Sequence, residues 1–235
     1  MLRHKAEGDH IYWLIVTAAS EDRGFSREFV NRRSDEIREV AKAFGFAEVF
    51  QPGFPTMQLD SIPKIELIGK IADVIKKVQP QTIYLPFKGD VHSDHRITFE
   101  AAYSCTKSFR YPFIKTVCMM ETISETEFAV STKEESFVPN VFVDISDFFE
   151  YKLSVMRIYS GELGQHPFPR SEENLRSLAT FRGATAGCRY AENLTLSDIS
   201  EIKKCPVIRM ELRVAASKII TAENCGSTLN SHYQR

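Results

Sequence analysis

The chain alternates short runs of β-branched and aromatic residues with longer segments in which apolar residues recur every three or four positions. The short runs at 11–17, 47–51 and 82–87 predict buried strands. The longer segments at 29–44 and 62–78 predict amphipathic helices that each bury one face. Strands alternating with helices in this way are typical of an α/β protein with a mainly parallel sheet.

The second half of the chain continues this pattern less regularly. Three more strands are predicted at 115–121, 126–130 and 141–144, and two more helices near 147–160 and 171–186. The later helix follows Ser171, whose hydroxyl can cap its first turn.

The first 200 residues contain no repeat, low-complexity tract or linker rich in proline and glycine. One domain over residues 1–200 is therefore the simplest prediction. Residues 201–235 have weak periodicity and a polar end, and this tail stays unassigned.

The front of the chain has an unusual order of elements. The stretch LRHKAEGD at 2–9 resembles the last turns of a helix, with Gly8 as its stop, and a strand follows at once. A crossover helix in a parallel sheet follows a strand, so we expect the first strand of the sheet to be missing from this sequence. An unpaired neighbouring strand would favour association, which makes a homo-oligomer compatible with the sequence.

Composition narrows the class of protein. The chain has 235 residues, 30 basic and 31 acidic, and its net charge of −1 provides no electrostatic footprint for nucleic acid or an anionic membrane. Its longest apolar run, 11–16, is too short to span a bilayer, and no secretory signal opens the chain. Five widely spaced cysteines indicate neither a disulfide framework nor a thiolate zinc site. We therefore expect a cytoplasmic protein that binds neither nucleic acid nor membrane.

The stretch GDVHSDHRITFEAA at 89–102 carries the strongest chemical signal. It follows the predicted strand 82–87 and runs into a helix, so His92, Asp94 and His95 would lie at the carboxyl edge of the sheet, where ligands collect. A neutral imidazole is a good zinc ligand, and a neighbouring carboxylate can fix its tautomer. The alternative is a polar loop in which Asp90 or Asp94 caps the helix and the histidines are solvated.

Several stretches, taken together and in order, resemble the LmbE/PIG-L-like family of N-acetylglucosaminyl deacetylases. The histidine loop matches the H-[PS]-D-H-R pattern of that family, and the resemblance runs from about residue 2 to about residue 196. The other matching stretches are AEGDHIYWLIVT, RRSDEIREVAKAFGF, METISETEF, PNVFVDISDFFEYKLSVMRIYSGEL and HPFPRSEENLRSLATFRGATAGCRYAEN.

The resemblance implies a Rossmann-like three-layer sandwich and a zinc-dependent hydrolase that removes acetyl from an N-acetylglucosamine-containing small molecule or glycoconjugate. It makes His95 a zinc ligand, His92 the group that protonates the leaving amine or steadies the oxyanion, and Asp94 the group that orients His92. It also places Arg33 and Glu121 at the substrate. For these two the alternative is structural, since Arg33 can pair with an acid one turn away and Glu121 with a nearby base.

The sequence departs from the family in one respect, because it contains no A-H-P-D-D-E motif, which in the family supplies the other metal ligands and the general base. A catalytic zinc site normally needs three protein ligands. Two hypotheses remain: an enzyme whose sequence is incomplete here, and a non-catalytic fragment or sugar-binding or interaction module. A metallophosphoesterase is a weaker third, since a two-metal site needs several aspartates.

Overall fold

The structure is a computed structural model that describes residues 1–130, 132 and 136–196. The tail at 201–235, which the sequence analysis left unassigned, lies outside the described residues. The described helices are α1 Leu2–Ala6, α2 Arg27–Phe44, α3 Lys64–Val78, α4 Ser93–Tyr103, α5 Phe149–Met156 and α6 Glu172–Ala186. The described strands are β1 Tyr12–Leu14, β2 Thr17–Ala18, β3 Glu48–Phe50, β4 Phe54–Pro55, β5 Thr82–Pro86, β6 Thr116–Met120, β7 Val141–Asp144 and β8 Ala191–Leu196.

The first strands pair in parallel across helix α2. Strand β1 pairs with β3 and β2 pairs with β4, so the predicted strand at 11–17 forms as two short pieces. Helix α2 begins where Ser26 Oγ accepts a hydrogen bond from the backbone N–H of Phe29, at 3.1 Å. It ends at Gly45, whose φ of 69° is a left-handed conformation that glycine adopts without a steric penalty.

A second sheet has four strands in the order β5-β6-β8-β7. Strand β5 is parallel to β6, whereas β8 is antiparallel to both of its neighbours. Three of the five strand pairs in the described chain are therefore parallel, which confirms the predicted α/β class with a mainly parallel sheet. Among the described strands, only β6 and β8 pair along both edges.

One strand prediction was wrong, and one observed strand was not predicted. Residues 126–130 do not form a strand but follow a series of turns, in which the backbone N–H of Thr126 donates to the carbonyl of Thr122 at 2.8 Å. Strand β8 was not predicted at all. It lies between β6 and β7, and its burial does not alternate strictly, so a two-residue period does not reveal it.

Two hydrophobic clusters hold the helices on the second sheet. The first joins α3 and α4 to β5 and β6, and it includes the buried residues Leu67, Ile71, Leu85, Ala101 and Val117. The second joins α5 and α6 to the end of β7 and the start of β8, and it includes Phe149, Leu153, Leu175, Ala179 and Tyr190. Burying one large aliphatic side chain contributes roughly 1.5–3 kcal/mol, so the first cluster holds β5 and β6 against α3 and α4, and the second holds β7 and β8 against α5 and α6. No helix in the described part of the chain combines the length and apolar composition needed to cross a bilayer.

Close packing at the end of α6 generates the first prediction. A methyl group at Gly183 would lie 2.7 Å from the carbonyl oxygens of Cys188 and Arg189, closer than real Cβ contacts allow. We expect Gly183→Ala to lower the free energy of unfolding by about 1–3 kcal/mol, measured by urea denaturation. The matched control is Gly69→Ala in α3, where a methyl group meets nothing within 4 Å. The control should be neutral or stabilise by up to about 1 kcal/mol, and equal losses in both variants would contradict the packing argument.

Candidate functional site

The candidate site lies where β5 ends and α4 begins. After the strand, the buried side chain of Phe87 anchors the turn, and the backbone N–H of Asp90 donates to the carbonyl of Phe87 at 3.2 Å. His92 is the N-cap residue of α4, so His92 and His95 both lie in its first turn. Their rings stack, with centroids 5.2 Å apart and an interplanar angle of 23°. The sequence prediction that the histidines lie at the carboxyl edge of β5 is therefore confirmed in position.

Asp90 is the best-buried acid of the site, with no exposed surface. Its Oδ2 lies 2.8 Å from Nδ1 of His95, and its Oδ1 accepts a hydrogen bond from the hydroxyl of Thr126 at 2.7 Å. A buried carboxylate needs such partners, because an unpaired charge would pay the full cost of desolvation. From the sequence, Asp90 was predicted only as a possible helix cap. The structure instead makes it the partner of His95.

The tautomer of His95 follows from this contact. An ionised carboxylate only accepts hydrogen bonds, so Nδ1 of His95 must carry the proton that it donates to Asp90. The other nitrogen, Nε2, then presents a lone pair. The side chain is 30% exposed, so this nitrogen can reach a ligand. A carboxylate behind the ring is also the usual support of a metal-binding histidine.

His92 has the opposite tautomer. Its Nδ1 accepts a hydrogen bond from the backbone N–H of Asp94 at 3.1 Å, so this nitrogen cannot carry a proton while the bond lasts. The neutral ring therefore carries its proton on Nε2 and can donate a hydrogen bond from there. The two histidines thus offer one lone pair and one N–H donor at neighbouring positions.

Asp94 reaches away from the histidines. The residue is 5% exposed, and its carboxylate accepts hydrogen bonds from the backbone N–H groups of Met57 at 2.6 Å and Leu59 at 3.3 Å. Met57 has a φ of 59°, a conformation that costs a bulky residue roughly 1–3 kcal/mol and persists only where its surroundings enforce it. Asp94 thereby ties the 57–59 turn to α4. Its predicted role of orienting His92 stays a prediction, since the hydrogen bond between them comes from the backbone of Asp94.

The loop after β6 closes the site from another side. The carbonyl of Glu125 accepts a hydrogen bond from the backbone N–H of Val91 at 3.2 Å, and the hydroxyl of Thr126 donates to Asp90. In the same loop, the hydroxyl of Ser124 accepts a hydrogen bond from Arg170 at 2.6 Å. The stretch METISETEF resembles the family, but neither Thr126 nor Arg170 was predicted to act at the site. The serine and threonine hydroxyls of that stretch were the sequence signal from which Thr126 could have been identified.

Arg33 lies in α2 within a group of charged and aromatic side chains. Its guanidinium pairs with Glu162 and lies 3.5 Å from Oε2 of Glu36, three residues along the helix. It also stands over the ring of Tyr159, 5.2 Å from the centroid. Burial raises the pKa of Tyr159 to about 12, so its phenol stays neutral at ordinary pH. The predicted acid partner one turn away is therefore present, and the substrate contact of Arg33 stays a prediction.

Glu121 follows β6 and pairs with Arg182 of α6. Its two carboxylate oxygens lie 2.5 Å from Nη2 and 3.4 Å from Nε of this arginine, and both side chains are largely buried. This is the nearby base that the structural alternative anticipated. A substrate contact of Glu121 stays a prediction, and it would have to compete with this ion pair.

The ligands that could hold a metal are not gathered at His95. Among the described residues, the one group of three ligand atoms lying within 4.8 Å of one another comes from His4, Glu7 and Asp9. Both ring nitrogens of His4 already have partners, Asp9 at 2.7 Å and the hydroxyl of Tyr84 at 2.6 Å. His95 supplies one nitrogen suited to a metal, but the described residues do not form a complete metal site around it.

Known proteins with related sequences and folds share this architecture. The family model for GlcNAc-PI de-N-acetylase, PIG-L, matches residues 1–106. Diacetylchitobiose deacetylase from Thermococcus kodakarensis is 25% identical over 213 residues, which cover 85% of this chain and 76% of that protein.

Solved structures agree in fold. N,N'-diacetylchitobiose deacetylase from Pyrococcus horikoshii superposes with a TM-score of 0.64 at 20% identity, covering 83% of this chain and 75% of that one. GalB, the 4-carboxy-2-hydroxymuconate hydratase from Pseudomonas putida, superposes with a TM-score of 0.63 at 17% identity, covering 84% and 88%. At these identities the structures show the fold alone, and the fold carries more than one chemistry. The chain is therefore similar to the PIG-L family of de-N-acetylases over its first 106 residues, and to a diacetylchitobiose deacetylase over 213 residues.

Proposed function

We propose that this protein contributes the site of a zinc-dependent deacetylase, which hydrolyses the acetamido group of an N-acetylated amino sugar such as an N-acetylglucosamine conjugate. The family and the related diacetylchitobiose deacetylase support hydrolytic deacetylation as the reaction class. The observation that carries the proposal is the pair of Nδ1 contacts, His95 with the Asp90 carboxylate and His92 with the backbone N–H of Asp94. These contacts imply a lone pair on His95 Nε2 and an N–H on His92 Nε2.

Amide hydrolysis requires stabilisation of an oxyanion and a proton for the leaving amine, and His92 can provide the first. Water attacks the carbonyl carbon and loses a proton, the carbonyl oxygen becomes an oxyanion, and the C–N bond then breaks as the amine nitrogen gains a proton in exchange for the one that water lost. His92 presents an N–H donor suited to the oxyanion. A neutral imidazole with Nδ1 engaged by a backbone N–H is a poor proton donor, since losing Nε2–H would leave an anionic ring. We therefore assign His92 to oxyanion stabilisation rather than to protonation of the amine.

His95 would hold the metal through Nε2, with Asp90 keeping the ring in the required tautomer. A bound zinc ion lowers the pKa of its water toward 7 and polarises the carbonyl. The described residues supply one of the three protein ligands that such a site normally needs, so zinc rests on the family resemblance.

A second function is supported by the single metal-ligating nitrogen that the described residues provide at His95. If the protein never gathers further ligands around His95, the site is a sugar-binding or interaction module that kept the family fold. The pairing of Arg33 and Glu121 with protein side chains agrees with such a structural role.

A gain-of-site experiment separates the two functions. A segment with one strand and the A-H-P-D-D-E motif is joined before Leu2, and zinc content and amine release from an N-acetylglucosamine conjugate are measured on the same samples. We expect zinc binding and amine release in the joined protein, and weak zinc binding with little release from the chain alone. In the joined protein, His95→Ala should lose both, because the metal loses a ligand. Zinc retained without amine release from any conjugate tested would favour the binding module.

The role of His92 is tested in the same background. We expect His92→Ala to keep the metal and to lower kcat by about 10²–10³, the usual effect of removing one oxyanion donor. His92→Gln restores an N–H donor without a titrating ring, so it should recover part of this loss. If His92 protonates the amine instead, His92→Gln would be as slow as His92→Ala. Loss of zinc in His92→Ala would show that the histidine roles are reversed.

Asp94 generates a prediction about stability. Asp94→Ala leaves the N–H groups of Met57 and Leu59 without their acceptor, and Leu59 is only 1% exposed. We expect a loss of about 1–3 kcal/mol in the free energy of unfolding by urea denaturation. His92→Ala is the control and should cost less, because its ring accepts one hydrogen bond at the partly exposed helix start. Equal costs would contradict the assignment of Asp94 as the anchor of the 57–59 turn.

A further inference from the structure

A group of five charged side chains joins helix α2 to the loop between α5 and α6. We call it the arginine cluster, and it comprises Arg32, Arg33, Arg170, Glu36 and Glu162. Three cations face two carboxylates, so the cluster carries one positive charge in excess. Glu162 lies at its centre, because one carboxylate oxygen pairs with Arg33 and the other lies 3.1 Å from Nη2 of Arg170.

Arg33 does not depend on Glu162 for its position. Its Nη1 lies 3.5 Å from Oε2 of Glu36, which is 7% exposed and belongs to the same helix. Its guanidinium also lies over the rings of Phe29 and Tyr159, at 5.6 and 5.2 Å from their centroids. A planar cation packed on aromatic faces and paired with a buried acid keeps its orientation when one outer partner leaves.

Arg170 is also held independently. Its Nη1 donates to the hydroxyl of Ser124 at 2.6 Å, and its Nε donates to the backbone carbonyl of Glu162 at 2.9 Å. Its guanidinium lies 5.2 Å from the centroid of the Phe168 ring. Only one of these contacts involves residue 162, and it uses the backbone rather than the carboxylate.

The carboxylate of Glu162 is the replaceable member of the cluster. The side chain is 33% exposed, and the two arginines that it joins are each 28% exposed, so a ligand in solution can reach all three. Gly161 precedes the residue, and a methyl group added there would meet no heavy atom closer than 3.9 Å. Two fixed guanidinium groups with an exchangeable carboxylate between them are the arrangement of a preformed anion site.

We infer that Arg33 and Arg170 bind the phosphate group of a phosphorylated N-acetylated sugar, and that Glu162 occupies this position in the free protein. A phosphate group displaces the carboxylate because it brings more negative charge and more acceptor oxygens. A substrate carboxylate would only exchange one carboxylate for another. The inference rests on the proposed function for the sugar, whereas the phosphate contact is independent of it.

The position relative to the histidines supports a role in substrate binding. Ser124, which holds Arg170, is two residues from Thr126, whose hydroxyl donates to Asp90. The arginine cluster and His95 are therefore attached to opposite ends of one short loop. A phosphate bound at the cluster would place the sugar attached to it near this loop.

Calorimetric titration tests the inference on the whole chain. The ligands are inorganic phosphate, N-acetylglucosamine 1-phosphate and N-acetylglucosamine, each added to wild type and to Glu162→Gln. Removing the competing carboxylate should tighten binding of inorganic phosphate by about tenfold, and the gain should shrink at high salt. Adding Arg170→Gln to Glu162→Gln should abolish the gain. In wild type, the phosphorylated sugar should bind more tightly than the sugar without phosphate.

The matched control is Glu172→Gln, because Glu172 forms a two-contact pair with the single arginine Arg157, at 2.7 Å for each contact. It should leave phosphate affinity unchanged. The inference is overturned if Glu162→Gln binds phosphate no more tightly than wild type, or if Glu172→Gln gives the same gain. Should Glu162→Gln unfold, Glu162→Asp replaces it, since a shorter carboxylate weakens the competitor, and unchanged phosphate affinity there also overturns the inference. These phosphate affinities are measured without any deacetylation assay. A protein that releases no amine would therefore contradict the proposed function without contradicting the phosphate site.

Discussion

The candidate site depends on one buried carboxylate. Asp90 has no exposed surface, yet it binds His95 through one oxygen and Thr126 through the other. A charge taken out of water is tolerated only when its partners replace the lost hydration, so all three residues must be in place together. Because these partners come from the start of α4 and from the loop after β6, the carboxylate sets the distance between two separate parts of the chain.

Chemical difference between the two histidines arises from their surroundings and not from their residue type. His95 faces a carboxylate, and His92 faces a backbone N–H at the start of the helix. Opposite tautomers follow from these two contacts alone. The two acids of the same loop also have different partners, since Asp90 holds the ring of His95 and Asp94 holds the strained turn at Met57. Four residues within one loop and one helical turn therefore provide two distinct supports and two distinct reactive groups.

Much of this arrangement could be predicted from the sequence, because local patterns determine it. Hydrophobic periodicity located α2 and α3, the cap at Ser171 located α6, and the position after β5 placed both histidines at the sheet edge. The partners of the charged groups could not be predicted, since they come from distant parts of the chain. Asp94 bonds residues 37 and 35 positions earlier, Asp90 bonds Thr126 36 positions later, and Arg33 meets Glu162 129 positions later. Strand β8 was missed for the same reason, because its place is set by pairing with β6 and β7.

The position of β8 has a consequence for how the protein is made. Residues 118–120 of β6 pair with 194–196 of β8, and β7 is joined to the sheet through β8 alone among the described strands. During synthesis, β5 and β6 leave the ribosome long before their antiparallel neighbour does, so β6 has an unpaired edge while about seventy further residues are added. Contacts between residues so far apart in sequence form slowly, because a long loop must close before they are made. A nascent chain at this stage therefore has both histidines but an incomplete sheet behind them, and the unpaired edge of β6 is open to association with other chains until β8 emerges.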